Sequence, residues 1–300
     1  MKKILTVLMA TALLASAFVG CSPKAEEESG KDQGNGGFDY TKPITVISRE
    51  DGSGTRGAFI ELTGVQVKNA DGSKEDKTTL EAVIASKTDV MLTNVAADEY
   101  AIGYVSMGSL NENVKALTVD GVAANTDTVK DGSYKISRPF NIATKGKASE
   151  VTTDFISFIM SKQGQEVAAT SGFIAIDDGA KEYTPSNLSG KIVVAGSSSV
   201  SPLMEKLIES YKKLCPNVSV ELQTSDSTAG LNAVKDGICD IGMASRELKD
   251  SEKEVMQAQA IALDGIAIIA SNDNPIVGLT KDDIKGIYTG EVTTWENFKK

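Results

Sequence analysis

Residues 192–214 read IVVAGSSSVSPLMEKLIESYKKL. A short apolar run of β type enters a turn of one glycine and three serines. Apolar residues then recur at Val200, Leu203, Met204, Leu207, Ile208, Tyr211 and Leu214. That i, i+3, i+4, i+7 spacing is one face of a helix. Pro202 is tolerated in a first turn, and Cys215-Pro216-Asn217 ends the pattern. A strand that passes through a Gly/Ser turn into a helix is the repeating unit of α/β proteins. Further strands are expected at residues 44–48, 102–105, 218–222, 241–244 and 265–270, with helices at 152–161 and 228–235. The whole is an α/β architecture.

Two more junctions have the same character. Residues 47–59, ISREDGSGTRGAF, carry a strand into a loop of three glycines, with a helix starting near Thr55. Residues 225–231, SDSTAGL, join the strand at 218–222 to the next helix. The first turn of a helix presents unpaired N–H groups and a partial positive charge, so each junction suits an anion. Ser53 and Thr55 add hydroxyls, Gly54 permits close backbone approach, and Arg49 offers a charge-assisted contact. Asp51 stands near enough in sequence to orient Arg49. One such junction alone also fits an ordinary capped helix with a surface ion pair. Three together favour a site that wraps a small tetrahedral anion at the carboxyl ends of strands.

Composition narrows the chemistry. The chain has 300 residues, room for two domains or one domain in two lobes, and no histidine. That excludes His-based triads and imidazole zinc sites. With 31 Lys+Arg against 41 Asp+Glu the net charge is −10. Nucleic acid is therefore not an expected partner, and any anion must be held by local donors. Three cysteines do not make a disulfide framework.

The first twenty residues have a basic start at Lys2 and Lys3 and an apolar run too short for a comfortable membrane span. The stretch Phe18-Val19-Gly20-Cys21 resembles the lipobox of bacterial lipoproteins, with Phe18 where Leu is usual. The resemblance implies a cleaved leader, 1–20, and a lipid on Cys21; a plain cleaved signal or a single anchor helix is the alternative. Losing Lys2 and Lys3 with the leader takes the net charge from −10 to −12. Residues 22–37, SPKAEEESGKDQGNGG, have no apolar side chain but Ala25 and read as a flexible tether. Cys215 and Cys239 remain, either as a disulfide or as two buried thiols.

Residues 48–59, SREDGSGTRGAF, resemble the signature of the phosphate-binding proteins of Pst-type ABC importers. The segments GSSSVSPL at 196–203, SDSTAGL at 225–231, DIGMASR at 240–246 and IALDGIAI at 261–268 are similar to other parts of that pattern. So are IYTGEVTTW at 287–295, AIGYVSMGSL at 101–110 and YKISRPFNI at 134–142. The resemblance spans essentially all of residues 38–300. Its order is changed: segments from 196 onward usually precede those from 48 to 142. The chain thus resembles a circular permutant, its former ends joined through residues 176–190. A piece of a tandem array, or partners that swap halves, would be the alternatives.

The resemblance implies a two-lobed periplasmic-binding-protein-like fold of type II, circularly permuted, with ligand between the lobes. One lobe would be residues 139–263. The other would combine 38–138 with 264–300, and the crossings at Arg138-Pro139 and Leu263-Asp264 would be the hinge. Carried over residue by residue, it implies phosphate contacts from Arg49, Ser53, Gly54, Thr55, Ser198, Ser199, Ser227 and Ser245. Arg246 stands where the better-known form of the family has a carboxylate that accepts the phosphate proton. That role would then fall to Asp51, Asp226 or Asp264, with Arg246 a second cation or the partner of Glu247 or another acid. The implied protein is a monomeric receptor, lipid-anchored on the outer face of the bacterial cytoplasmic membrane, serving the membrane subunits of an ABC importer. It would be no enzyme and would need no cofactor or metal. Rival readings are a receptor for sulfate or a similar oxyanion, a phosphatase-like enzyme, or a surface phosphate sensor or adhesin.

Overall fold

The computed structural model describes residues 37–299. The leader, the lipobox Cys21 and nearly all of the tether lie outside the described residues. Twelve strands and nine α-helices are found among the described residues. In the first stretch of chain the strands are β1 (Thr45–Arg49), β2 (Gln66–Lys68), β3 (Lys74–Asp76), β4 (Val83–Ala85), β5 (Ala101–Ser106) and β6 (Val114–Val119). The helices there are α1 (Gly54–Thr63), α2 (Thr88–Ala96) and α3 (Thr126–Lys130). Then follow β7 (Ser137–Thr144), α4 (Glu150–Ile159), α5 (Lys162–Thr170), β8 (Gly190–Ser197), α6 (Ser201–Leu214) and β9 (Val218–Ser225). The chain ends with α7 (Ser227–Lys235), β10 (Ile241–Ala244), α8 (Asp250–Lys253), β11 (Gln257–Ser271), β12 (Gly278–Leu279) and α9 (Lys281–Thr289).

Local chemistry explains the helix boundaries. The Ser53 hydroxyl accepts from the Arg56 amide to start α1, and Gly64 ends it in the left-handed region. Asp226 caps α7 through the Ala229 amide, and Ser149 caps α4 through Thr152. Pro202 lies in the first turn of α6, where its missing N–H costs nothing. The sheet has mixed direction. β4, β1 and β5 are parallel neighbours, and so are β10, β8 and β9. β11 is antiparallel to β5 and β6 at its C-terminal end and to β7 along its N-terminal part.

Two main cores lie on either side of the paired strands β7 and β11. The first includes Phe59, Tyr104, Ile266–Ala270, Tyr288 and Trp295. In it Phe59 stacks on Tyr104 at 4.0 Å, and the Tyr288 hydroxyl donates to the Ile47 carbonyl. The second includes Phe140, Phe155, Phe158, Leu203, Met204, Leu207 and Tyr211, with a smaller apolar cluster around Leu231 and Val234 beside it. The fold is thus α/β and two-lobed, of the periplasmic-binding-protein kind.

β7 and β11 run from one core to the other side by side, with Pro139 opposite Leu263 and Arg138 opposite Asp264. Arg138 and Asp264 form an ion pair at 3.0 Å, 2% and 0% exposed. Burial works to raise the Asp264 carboxyl and lower the Arg138 guanidinium, while each partner's charge, and the Ser106 hydroxyl on Asp264, oppose this. Residues 175–189 have no helix or strand. They are fastened at Tyr183 and Ser186, whose hydroxyls both donate to Asp154 Oδ2, at 2.6 and 2.9 Å. The two ends of the folded body meet: the Phe38 ring lies 6.4 Å from Trp295, and Lys299 Nζ lies 5.7 Å from the Tyr40 ring.

The expected strands and helices are present, several with longer bounds. The strand expected at 265–270 is the end of a fifteen-residue strand. Alternation breaks down at its bulge between Ala260 and Ala262, which hid the rest. Cys215 and Cys239 are buried free thiols, and burial pushes Cys239 up to about 11.

Two substitutions test this frame. At Gly230 of α7 an added Cβ would lie 2.4 Å from Gly196 Cα and 2.7 Å from the Ala195 carbonyl. Gly230→Ala should therefore cost about 1–3 kcal/mol in urea unfolding, because backbone must move. Asp264→Asn keeps the shape but strands the buried Arg138 charge, and the same measurement should show a loss of about 3–5 kcal/mol.

Candidate functional site

Four helices start at one place. The N-termini of α1 and α2 come from the side of the first core, and those of α6 and α7 from the side of the second. Side chains of their first turns and of the turns that lead into them, with Ser245 just after β10, touch. Thr55 Oγ1 and Ser199 Oγ are 2.7 Å apart, and Thr88 Oγ1 is 3.1 Å from Ser198 Oγ. The Ser197 hydroxyl donates to Ser245 Oγ at 2.9 Å, and the Ser227 hydroxyl accepts the Ser245 amide at 3.1 Å. Ser245 Oγ is also 3.4 Å from both Thr55 Oγ1 and Ser227 Oγ. All these side chains are buried.

Gly54 closes the cluster. A Cβ there would lie 2.3 Å from Ser227 Oγ and 2.8 Å from Ser245 Oγ, so only glycine lets α1 approach α7 this closely. Ser53 is the cap of α1, its hydroxyl occupied by the Arg56 amide.

Arg49 supplies the positive charge. It is 1% exposed and ends β1 beside the hydroxyls. Nη2 donates to Ser198 Oγ at 3.1 Å, and Nη1 points to Thr88 Oγ1 at 3.4 Å. Its backbone amide donates to the Tyr104 hydroxyl at 3.0 Å, which also contacts Ser48 Oγ. Burial pushes the Tyr104 phenol up to about 12, so it stays a neutral prop. The guanidinium is held in plane by a two-point contact with Glu50, at 2.8 and 2.7 Å.

This corrects the expected partner of Arg49. Asp51 is turned outward, 96% exposed, and pairs with Arg56 at 2.6 Å. β1 ends at Arg49, so the pleat that would put Arg49 and Asp51 on one face no longer applies, and the turn carries Asp51 to the solvent side. Asp51 is therefore not among the groups that face the cluster.

The other acids are also committed. Asp226 Oδ1 accepts the Ala229 amide at 2.8 Å as the cap of α7. Asp264 Oδ1 accepts from Ser106, and Oδ2 from Arg138 Nε and Nη2. Asp264 reaches the site only through Arg138, whose Nη1 donates to the Ser245 carbonyl at 2.8 Å. Arg246 makes a two-point pair with Glu252 at 2.7 and 2.9 Å and also donates to the Glu247 carbonyl. It pairs with neither the Glu247 side chain nor the cluster hydroxyls. Burial works to raise the Glu252 carboxyl, but bonds from Arg246 and the Lys249 amide hold it below the usual range.

Three contributors escaped the sequence reading. Thr88 follows β4 and opens α2, so Ser86-Lys87-Thr88 is a fourth strand–hydroxyl–helix junction, legible by the same rule. Glu50 and Arg138 carried no local signal, since their roles depend on what the fold places beside them. Chemically, the cluster offers hydroxyls that donate or accept, first-turn amides and one buried guanidinium. Those are the groups that hold a tetrahedral oxyanion.

Comparison with known proteins agrees with this chemistry. The PBP superfamily domain matches residues 31–163 and 181–299. Phosphate-binding protein PstS 2 of Streptococcus agalactiae is 46% identical over 301 residues, covering 99% of both chains. A crystal structure of a phosphate-binding protein of a phosphate ABC transporter from Streptococcus pneumoniae is 49% identical. It superposes with a TM-score of 0.69 over 86% of this chain and 100% of its own. The phosphate-binding protein PstS of Pseudomonas aeruginosa matches over 146 residues only, 43% of this chain, at 33% identity. The chain belongs to the PBP superfamily, in the family of phosphate-binding protein PstS 2.

Proposed function

We infer that this protein is an extracytoplasmic receptor that binds inorganic phosphate between its lobes and delivers it to an ABC importer. The observation that carries the reading is the meeting of four helix N-termini and one buried arginine from both sides of the β7–β11 ribbon. Arg49, Thr55, Ser198, Ser199, Ser227 and Ser245 contribute side chains, Gly54 contributes its amide, and Ser53 sets the start of α1. Thr88 joins them. For the ligand's own proton the cluster hydroxyls offer acceptor oxygens; Asp51 and Asp264 are committed to Arg56 and to Ser106 and Arg138, while Asp226 caps α7 through Oδ1 alone. Binding proceeds without covalent chemistry.

The lobes are residues 38–138 with 264–300, and residues 139–263. They move about the paired crossings at Arg138/Pro139 and Leu263/Asp264. The permuted order is supported by the neighbouring ends of the folded body and by the partial match to the Pseudomonas relative, as a collinear comparison stops where order changes. The protein acts as a monomer, held at the membrane through lipid on Cys21.

Calorimetry on the mature protein tests the ligand. Phosphate should bind, and sulfate at similar concentration should not displace it; equal displacement would favour the broader oxyanion receptor. Arg49→Gln should weaken phosphate at least tenfold, about what a lost charge-assisted hydrogen bond removes. An unchanged affinity would refute the role of Arg49. For the anchor, Cys21→Ser should move the protein from the membrane to the soluble fraction in cell fractionation.

A further inference from the structure

Outside the hydroxyl cluster, a second set of contacts crosses between the two sides. The Gly52 carbonyl, in the loop before α1, accepts both the Thr228 amide at 3.2 Å and the Thr228 hydroxyl at 3.1 Å. The approach is tight: a Cβ on Gly52 would lie 2.3 Å from Asp226 Oδ1. Behind Thr228 stands Arg246, whose Nη2 points to Thr228 Oγ1 at 3.4 Å. The same guanidinium is fixed by the two-point pair with Glu252, with side chains 10% and 15% exposed. Glu252 in turn accepts the Lys249 amide at the start of α8. The chain of contacts therefore runs from α8 through Glu252, Arg246 and Thr228 to a carbonyl on the opposite side.

We propose that Arg246, with Glu252 and Thr228, is a closure latch: it positions the Thr228 hydroxyl on Gly52 and so slows ligand release without touching the ligand. The inference rests on the phosphate reading above and concerns how long the closed form lasts. A guanidinium committed to a carboxylate by two bonds is not free to bind an anion, and the second N–H of its Nη2 is directed at Thr228. A hydroxyl that receives from Arg246 donates its own proton more strongly to Gly52. Contacts formed only on closure act mainly on dissociation, since the entering ligand meets the open form.

The test uses the full mature protein. Release of radiolabelled phosphate into excess unlabelled phosphate is followed for wild type, Thr228→Val, Thr228→Ser and Glu252→Gln, with association rates measured alongside. Thr228→Val should release about three- to tenfold faster, the loss expected for one hydrogen bond, with association unchanged. Thr228→Ser should behave as wild type, and Glu252→Gln should speed release. An unchanged release rate in Thr228→Val, or tighter binding in Glu252→Gln through a freed Arg246, would overturn the latch. Hydrogen exchange at the Thr228 amide in protein saturated with phosphate, or with sulfate where phosphate fails to bind, separates this from the phosphate reading. Faster exchange in Glu252→Gln with whichever anion closes the protein supports the latch, and unchanged exchange counts against it.

Discussion

The ion pair between Arg138 and Asp264 sits where two strands pass together from one core to the other. Neither charge reaches water, so each depends on the other and on the Ser106 hydroxyl and Ser245 carbonyl for its hydrogen bonds. Such a pair adds little net stability over a well-packed apolar pair, because desolvation offsets much of the attraction. What it does impose is register: a slip of one residue in β7 against β11 would turn Arg138 to the other face and leave Asp264 buried without its partner. With register fixed, the ends of β1, β8 and β10 fall at one level, and the helices that follow β1, β8 and β9 start from there.

That level is where an acidic protein makes a local environment for an anion. The net charge of −10 sets a field unfavourable to phosphate at a distance. Within the cluster the balance is reversed, because helix termini and Arg49 lie within a few ångströms and water is excluded, which strengthens each interaction. Among the described residues Glu50 is the one carboxylate in direct contact with Arg49, and it holds the guanidinium in place while leaving Nη2 and Nη1 to Ser198 and Thr88. Tyr104 supports the same residue from below through its backbone.

Much of this was legible because it is local. The GSSS, GSGT and SDST turns announce helix starts through residue types that cap helices or let a backbone approach closely, and such preferences act over a few residues. The amphipathic spacing of α6 likewise follows from sequence alone. Arg49 stood out as a cation within a strand–turn–helix junction. Its partner did not, since Glu50 and Asp51 both lie within two residues of it and only the turn that follows β1 decides which one faces inward. Arg246 shows the same limit, because its partner Glu252 reaches it only after α8 forms.

The sequence by itself determined the succession of strands and helices, the hydroxyl-rich junctions and the absence of imidazole chemistry, because each depends on neighbouring residues or on composition. Only the tertiary structure decided which junctions meet and which charges pair. The contacts of Thr55 with Ser199, Arg49 with Ser198 and Thr228 with Gly52 join residues more than a hundred positions apart. Their distances are set by the register of β7 on β11 and by the packing of two cores. No local preference in the chain encodes that geometry.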